Sequence, residues 1–121
     1  MMQKEHLREL VWLGDSLNVL REFPNQVQKD IGDALNDVQH GDTPPEAKPF
    51  KGVASGVFEI VNRFDTNTYR TLYAVKIGAV VYVLHAFQKK SPKGIKTARK
   101  EIELINKRYI KALEIEKERR Q

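Results

Sequence analysis

The 121-residue sequence contains no cysteine. Disulfides, thiolate metal sites and a thiol nucleophile are therefore excluded, and the redox compartment is left unmarked. Glycine and proline are sparse, 7 and 5 residues, which excludes collagenous and low-complexity chains. Long apolar runs are missing as well. No stretch approaches the ~20 residues of a membrane span, and MMQKEHLRELVW carries charges where a secretory leader has its apolar core. The expectation is a cytoplasmic protein with no membrane partner. The three histidines, His6, His40 and His85, are too scattered for a metal cage, and neither a phosphate-loop lysine motif nor GxGxxG occurs. No metal or cofactor is expected. With 40% apolar and 31% charged residues the composition is globular, and residues 1–121 are expected to form one domain.

Acidic residues are nearly absent from the middle of the chain. Residues 1–47 carry 4 basic and 9 acidic side chains, residues 48–100 carry 11 and 2, and residues 101–121 carry 6 and 5, giving −5, +9 and +1 and a total of +5. The only acids of the middle block are Glu59 and Asp65. Such a block generates a positive field suited to a polyanion, unless the acidic first block folds against it.

Periodicity divides the chain into α and β parts. Arg8 to Leu13 reads as a brief strand, with Asp15 placed to cap a helix from Ser16 to Glu22. Pro24 opens a second helix, whose apolar residues Val27, Ile31, Ala34, Leu35 and Val38 recur at three-to-four spacing until Gly41. The two helices are expected to form an antiparallel pair. Val57–Val61, Tyr69–Ile77 and Val80–Phe87 are rich in β-branched and aromatic residues and are separated by short turns, which predicts an antiparallel meander. Alternation puts Arg70 and Lys76 on one face, and His85 with Val81, Val83 and Phe87 on one face. Tyr73 and Tyr82 are assigned to the core. Helical spacing returns at Ile102, Ile105, Tyr109 and Leu113, with Thr97 as N-cap and a charged end expected to fray beyond Ala112. The fold class is α+β: an N-terminal helix pair, an antiparallel sheet of three to four strands and a C-terminal helix.

KPFKGVASGVFEIV, TYRTLYAV and VVYVLHAFQKKSPKGIKTARKEIELI, running from Lys48 to Ile105, resemble consecutive blocks of the RelE/ParE toxin superfamily. LHAFQKKS before a helix, and the turn Phe50-Lys51-Gly52, are similar to its phage-derived HigB-like branch. So is VWLGDSLNVLREFPNQVQKDIGDAL upstream, which extends the likeness to nearly the whole chain. The resemblance implies the RelE-like fold and a toxin of a type II toxin–antitoxin system, a ribosome-dependent endoribonuclease that cleaves translated mRNA without a metal. It implies a helix-turn-helix antitoxin as partner in a hetero-oligomer. The superfamily also contains ParE-like gyrase inhibitors, and a degenerate antitoxin- or nucleic-acid-binding module is a third possibility. Many relatives carry an arginine directly after the GVFEI-like segment. This chain has Val61 there, and Arg63 takes its place only if a bulge re-aims it.

By the same likeness the cleft lies on the sheet and uses Lys48, Lys51, Arg70, Phe87, Lys89 and Lys90, with His85 nearby; Arg63 and Lys93 complete the RNA-binding set. RNA cleavage needs a deprotonated 2′-hydroxyl, a stabilised pentavalent phosphate and a protonated leaving oxygen. The guanidinium of Arg70 matches a phosphate's oxygens and keeps its charge; the alternative is a strand arginine in solvent or paired with Glu59. Arg70→Ala is expected to end toxicity with the fold nearly intact. Lys89 and Lys90 point in opposite directions, so one faces the cleft, and a lysine among like charges can exchange a proton near neutral pH. His85 is either a proton carrier or a hydrogen-bonded structural histidine. Phe87 either stacks on a base or joins the core. Lys48 and Lys51 are placed to touch backbone phosphates or to lie on ordinary surface.

Overall fold

The computed structural model describes residues 7–89 and 98–120. In chain order the elements are β1 (Glu9–Trp12), α1 (Ser16–Leu20), α2 (Asn25–Gln39), β2 (Ala47–Pro49), β3 (Val57–Phe64), β4 (Asn67–Ala74), β5 (Val80–Lys89) and α3 (Arg99–Arg119). The strands form one sheet in the order β1-β5-β4-β3-β2. The predicted meander is its centre, β3-β4-β5, antiparallel throughout. β1 adds parallel to β5, and β2, a segment with no strand-like alternation in the sequence, adds antiparallel to β3. The α+β class holds, with five strands instead of three to four.

Helices cover both faces, because the central strands are apolar on both. On one face Val27, Ile31, Leu35 and Val38 of α2 pack with Leu20 of α1 against Ile60, Tyr69, Tyr73, Val81 and Val83. The two N-terminal helices, α1 and α2, both pack on the sheet, α1 against β5 and α2 against β3 and β5. At their corner the Gln28 side-chain amide donates to the carbonyls of Arg21 (3.0 Å) and Phe23 (2.8 Å), backbone groups of the link between α1 and α2. On the other face Ile105 and Ala112 of α3 pack with Leu13, Val57, Leu72, Tyr82 and Leu84, and Phe50, Val53 and Ala54 close the margin. Tyr73 and Tyr82 are fully buried, as expected.

α3 does not fray after Ala112 but continues to Arg119. Its charged end has partners that sequence spacing does not reveal: the Tyr82 hydroxyl donates to Glu116 Oε1 at 2.9 Å, and Arg119 donates to Glu9 Oε1 at 2.6 Å. The N-cap position of α3 is Ala98; Thr97 lies outside the described residues.

One irregularity decides what the sheet presents. In the β4–β5 ladder Leu72 pairs with His85 while Tyr73 pairs with Val83, so Leu84 is an extra residue in a β-bulge. A bulge shifts every later residue of its strand to the other face. Before it, Val81 and Val83 face α2; after it, Ala86 faces α2 and Phe87 joins the α3 side. The expectation that His85 and Phe87 share a face with Val81 and Val83 is thereby overturned.

Candidate nucleic-acid interface

α3 begins beside His85 and runs back along β5, so that Glu101 meets His85 and Glu116 meets Tyr82. The sheet continues past the first turn of α3, and its α3-side face there is built by β3, β4 and the last residues of β5. Register places Glu59, Val61 and Arg63 of β3, Thr68 and Arg70 of β4, and Phe87 and Lys89 of β5 on this one face. Lys48 of β2 pairs with Glu59. Val61, Phe87 and Lys89 are half-buried, while Lys48 and Arg63 are exposed.

At its centre is a buried ion pair. Arg70 Nη1 donates to Glu59 Oε2 at 2.7 Å, and both side chains are almost fully withdrawn from water. Lys48 Nζ approaches the other carboxylate oxygen at 3.8 Å from an exposed position. Lys89 completes the cluster. Burial of its ammonium and the like charge of Arg70 pull its pKa below the ordinary lysine value, against the opposing pull of Glu59. Four cations from four strands thus surround one carboxylate or flank it: Lys48, Arg63, Arg70 and Lys89.

Several sequence expectations can be placed on this geometry. Arg70, Lys89, Phe87, Arg63 and Lys48 come together on one face. Lys89 lies on the Arg70 face; Lys90 and Lys93 lie outside the described residues. Lys51 is exposed in the turn after β2. Arg70 takes the ion-paired alternative, so Arg70→Ala would leave the buried Glu59 carboxylate without its close 2.7 Å partner. The expectation that this substitution spares the fold is corrected on that ground. Arg63 does not take the place of Val61 either. The β3–β4 register is unbroken from Val57 to Phe64, so no bulge re-aims it. It stays opposite Thr68 at the mouth of a two-residue turn in which Asp65 (φ 51°) and Thr66 (φ 67°) are both left-handed.

His85 sits behind this face. Its Nε2 is 3.1 Å from Glu101 Oε1 and its Nδ1 is 3.1 Å from Arg108 Nη1. Arginine only donates, so Nδ1 is the acceptor and the proton is on Nε2, directed at Glu101. Arg108 also donates to the Leu84 carbonyl at 3.0 Å and to Asp15 Oδ1 at 2.7 Å. The Arg108 guanidinium holds the Asp15 carboxyl below the usual carboxylate range, whereas burial pushes His85 down from the ordinary histidine value against the pull of Glu101. The imidazole is stacked on Phe87, with ring centroids 5.1 Å apart and planes 22° from parallel.

Sequence reasoning considered Glu59 only as a possible partner of Arg70, and it missed Asp15, Glu101 and Arg108 as interacting groups. A signal for two of them exists. Glu101, Ile105, Arg108 and Ala112 recur at four-three-four spacing on the buried stripe of α3. A charge of each sign on a buried stripe requires partners across the interface.

Fold and site define an α+β protein with a cationic, partly apolar sheet face. Residues 18–110 match the family model described as phage-derived protein Gp49-like (DUF891), and the chain belongs to this family. Among solved structures it is similar to the toxin–antitoxin complex RelBE2 from Mycobacterium tuberculosis, with 16% identity and a TM-score of 0.49 over 74% of this chain and 100% of that one. No curated protein matches the sequence. No described helix is long and apolar enough to cross a membrane.

Proposed function

We propose that this chain is the toxin of a type II toxin–antitoxin system and acts in the cytoplasm as a ribosome-dependent, metal-independent mRNA endoribonuclease. Its partner would be a helix-turn-helix antitoxin, in a hetero-oligomer. The observation that carries the reading is the convergence of Lys48, Arg63, Arg70, Phe87 and Lys89 on one face of the sheet. Family membership and the resemblance of the sequence blocks to RelE-type toxins support it.

In this mechanism the 2′-hydroxyl oxygen attacks the adjacent phosphorus, the P–O5′ bond breaks, and the products are a 2′,3′-cyclic phosphate and a 5′-hydroxyl. The proton leaving the 2′-oxygen and the proton gained by the 5′-oxygen pass through groups on the face. Arg70, aimed by Glu59, stabilises the charge that accumulates on the phosphoryl oxygens. Lys89, its pKa lowered by burial and by Arg70, is the group suited to proton transfer. Lys48, Arg63, Lys51 and Lys93 hold flanking phosphates, and Phe87 offers an aromatic surface to a base.

The decisive experiment is controlled expression of the full chain followed by primer extension on cellular transcripts. Discrete 5′ ends that require translation are expected for the wild type. Arg70→Lys, which keeps the charge beside Glu59 but loses the planar fork, is expected to lower cleavage by roughly 10²-fold, within the range lost with one transition-state donor. DNA damage with intact transcripts would overturn the reading in favour of a gyrase inhibitor. A second reading, a non-catalytic binding module, is favoured by Val61, which faces Arg70 in the ladder where many relatives carry an arginine. Expression without growth arrest would establish it.

A further inference from the structure

We propose that His85 is a positioning residue: a neutral imidazole, clamped between Glu101 and Arg108, that forms the shelf on which Phe87 presents its ring to an unpaired nucleobase. The inference rests on the nucleic-acid reading of the sheet face and assigns one subsite within it. It replaces the role of proton carrier that the titration range of histidine brings to mind.

The geometry argues for this role in three steps. Both imidazole nitrogens are engaged, Nε2 with Glu101 and Nδ1 with Arg108, so a proton carrier would have to break one of these bonds at each turnover. The charged groups facing the ring are Glu101 and Arg108 from α3 and, through Arg108, Asp15 from the β1–α1 corner; its neighbour across the ladder on β4, Leu72, is apolar. Protonating Nδ1 would remove the acceptor of Arg108 and set imidazolium against guanidinium. Finally, His85 is 5% exposed, while Phe87, stacked on it, is half-buried and neighbours Arg70 in the ladder. A base lying on Phe87 would bring its phosphate toward the Arg70–Lys89 cluster. The bulge at Leu84 is what places both rings on this face.

The test combines nitrogen-15 NMR of the full chain with a single-stranded RNA carrying 2-aminopurine, whose fluorescence is quenched by stacking. His85 is expected to show the Nε2–H tautomer and to titrate below the ordinary histidine value, its resonances being assigned by their loss in His85→Gln. The RNA is expected to be quenched on binding the wild type, less so with Phe87→Leu and with His85→Gln. His85→Gln keeps an amide donor for Glu101 but lacks a ring. In cleavage assays His85→Gln is expected to raise KM roughly tenfold, the scale of one stacked base, with the shape of the pH profile unchanged. Titration of His85 at or above its ordinary value would overturn the inference. So would loss of one limb of the pH profile with a kcat decrease of about 10²-fold or more, or equal quenching by wild type and Phe87→Leu. If the wild type quenches the RNA but cleaves none, the nuclease reading fails and the stacking subsite stands.

Discussion

Glu59 and Arg70 meet at 2.7 Å with both side chains nearly dry, and this pair has structural and functional consequences that can be separated. Breaking a buried pair by removing one partner costs about 3–5 kcal/mol, because a charge is left without compensation, whereas replacing both partners by apolar residues of similar volume is about neutral. Glu59→Gln and Arg70→Ala are therefore each expected to lower the free energy of unfolding in urea by several kcal/mol, on the order of that range. Glu59→Met/Arg70→Met is expected to return close to wild type while remaining non-toxic. A single variant as stable as wild type would show that the pair is not a buried ion pair in solution. His85 adds a pH dependence. Its folded pKa is depressed by burial, so the unfolded chain binds more protons below its own value of about 6.5. The contribution is complete above that pH and is lost as pH falls through and below it. The melting temperature is expected to drop between pH 7.5 and pH 5.5, and less so in His85→Gln; equal drops would remove His85 as the cause. Asp15 is shifted the same way but works in a lower window, stabilising above the ordinary carboxylate range and losing that effect as pH falls through its depressed value. Arg70 was a candidate through the resemblance of its TYR-containing strand to the RelE/ParE blocks, with a pair to Glu59 as the alternative. That it would be buried on Glu59 was not legible, since their pairing depends on the β3–β4 register.

Among the elements, the strongly periodic ones were legible: α2 from its three-to-four spacing and β3, β4 and β5 from their β-branched and aromatic content. β2 was not, because Ala47–Pro49 has too few residues to alternate and forms by pairing with β3. The β5 bulge was invisible for a deeper reason. Period-two reading assumes continuous pairing, and the extra residue at Leu84 leaves no mark in the strand's own composition. At the corner between β1 and α1 the Arg108 guanidinium packs against one backbone position. Gly14 has φ +55°, and a Cβ there would lie 2.6 Å from the Arg108 guanidinium carbon, the group that ties Asp15, Leu84 and His85 together. Gly14→Ala combines left-handed strain with displacement of Arg108. It is expected to cost about 1–3 kcal/mol in denaturant unfolding and to shift the His85 imidazole resonances. Unchanged resonances would mean that Arg108 does not act through this corner. Gly32→Ala is the matched control, since a Cβ there meets nothing within 4 Å and α2 gains from the substitution.

At the scale of the molecule, the charge asymmetry along the sequence becomes an asymmetry in space. α1 and α2, from the block of net −5, cover one face of the sheet, and four cations of the block of net +9, Lys48, Arg63, Arg70 and Lys89, gather on the other face past the start of α3. The sheet lies between the acidic helices and the cationic face, and on the proposed function the field of that face serves to attract the RNA polyanion. Each phosphate neutralised on a single strand contributes about −0.7 to the slope of log K against log salt concentration. Counting the cations gathered on the sheet face, Lys48, Arg63, Arg70 and Lys89, as one phosphate each sets the least steep slope expected for a short single-stranded RNA in fluorescence anisotropy at roughly −3, and Lys51 and Lys93 make it steeper where they hold flanking phosphates. Arg63→Gln, exposed at the hairpin mouth and outside the buried pair, is expected to make the slope shallower by about 0.7 with unchanged stability. Arg21→Gln, exposed at the end of α1 on the opposite side of the sheet, is expected to leave the slope unaltered. The comparison tests the face and not merely the net charge, since both substitutions remove one positive charge from the chain. Equal slopes in the two variants would mean that RNA responds to the overall charge, and the cationic sheet face would then have no special part in binding.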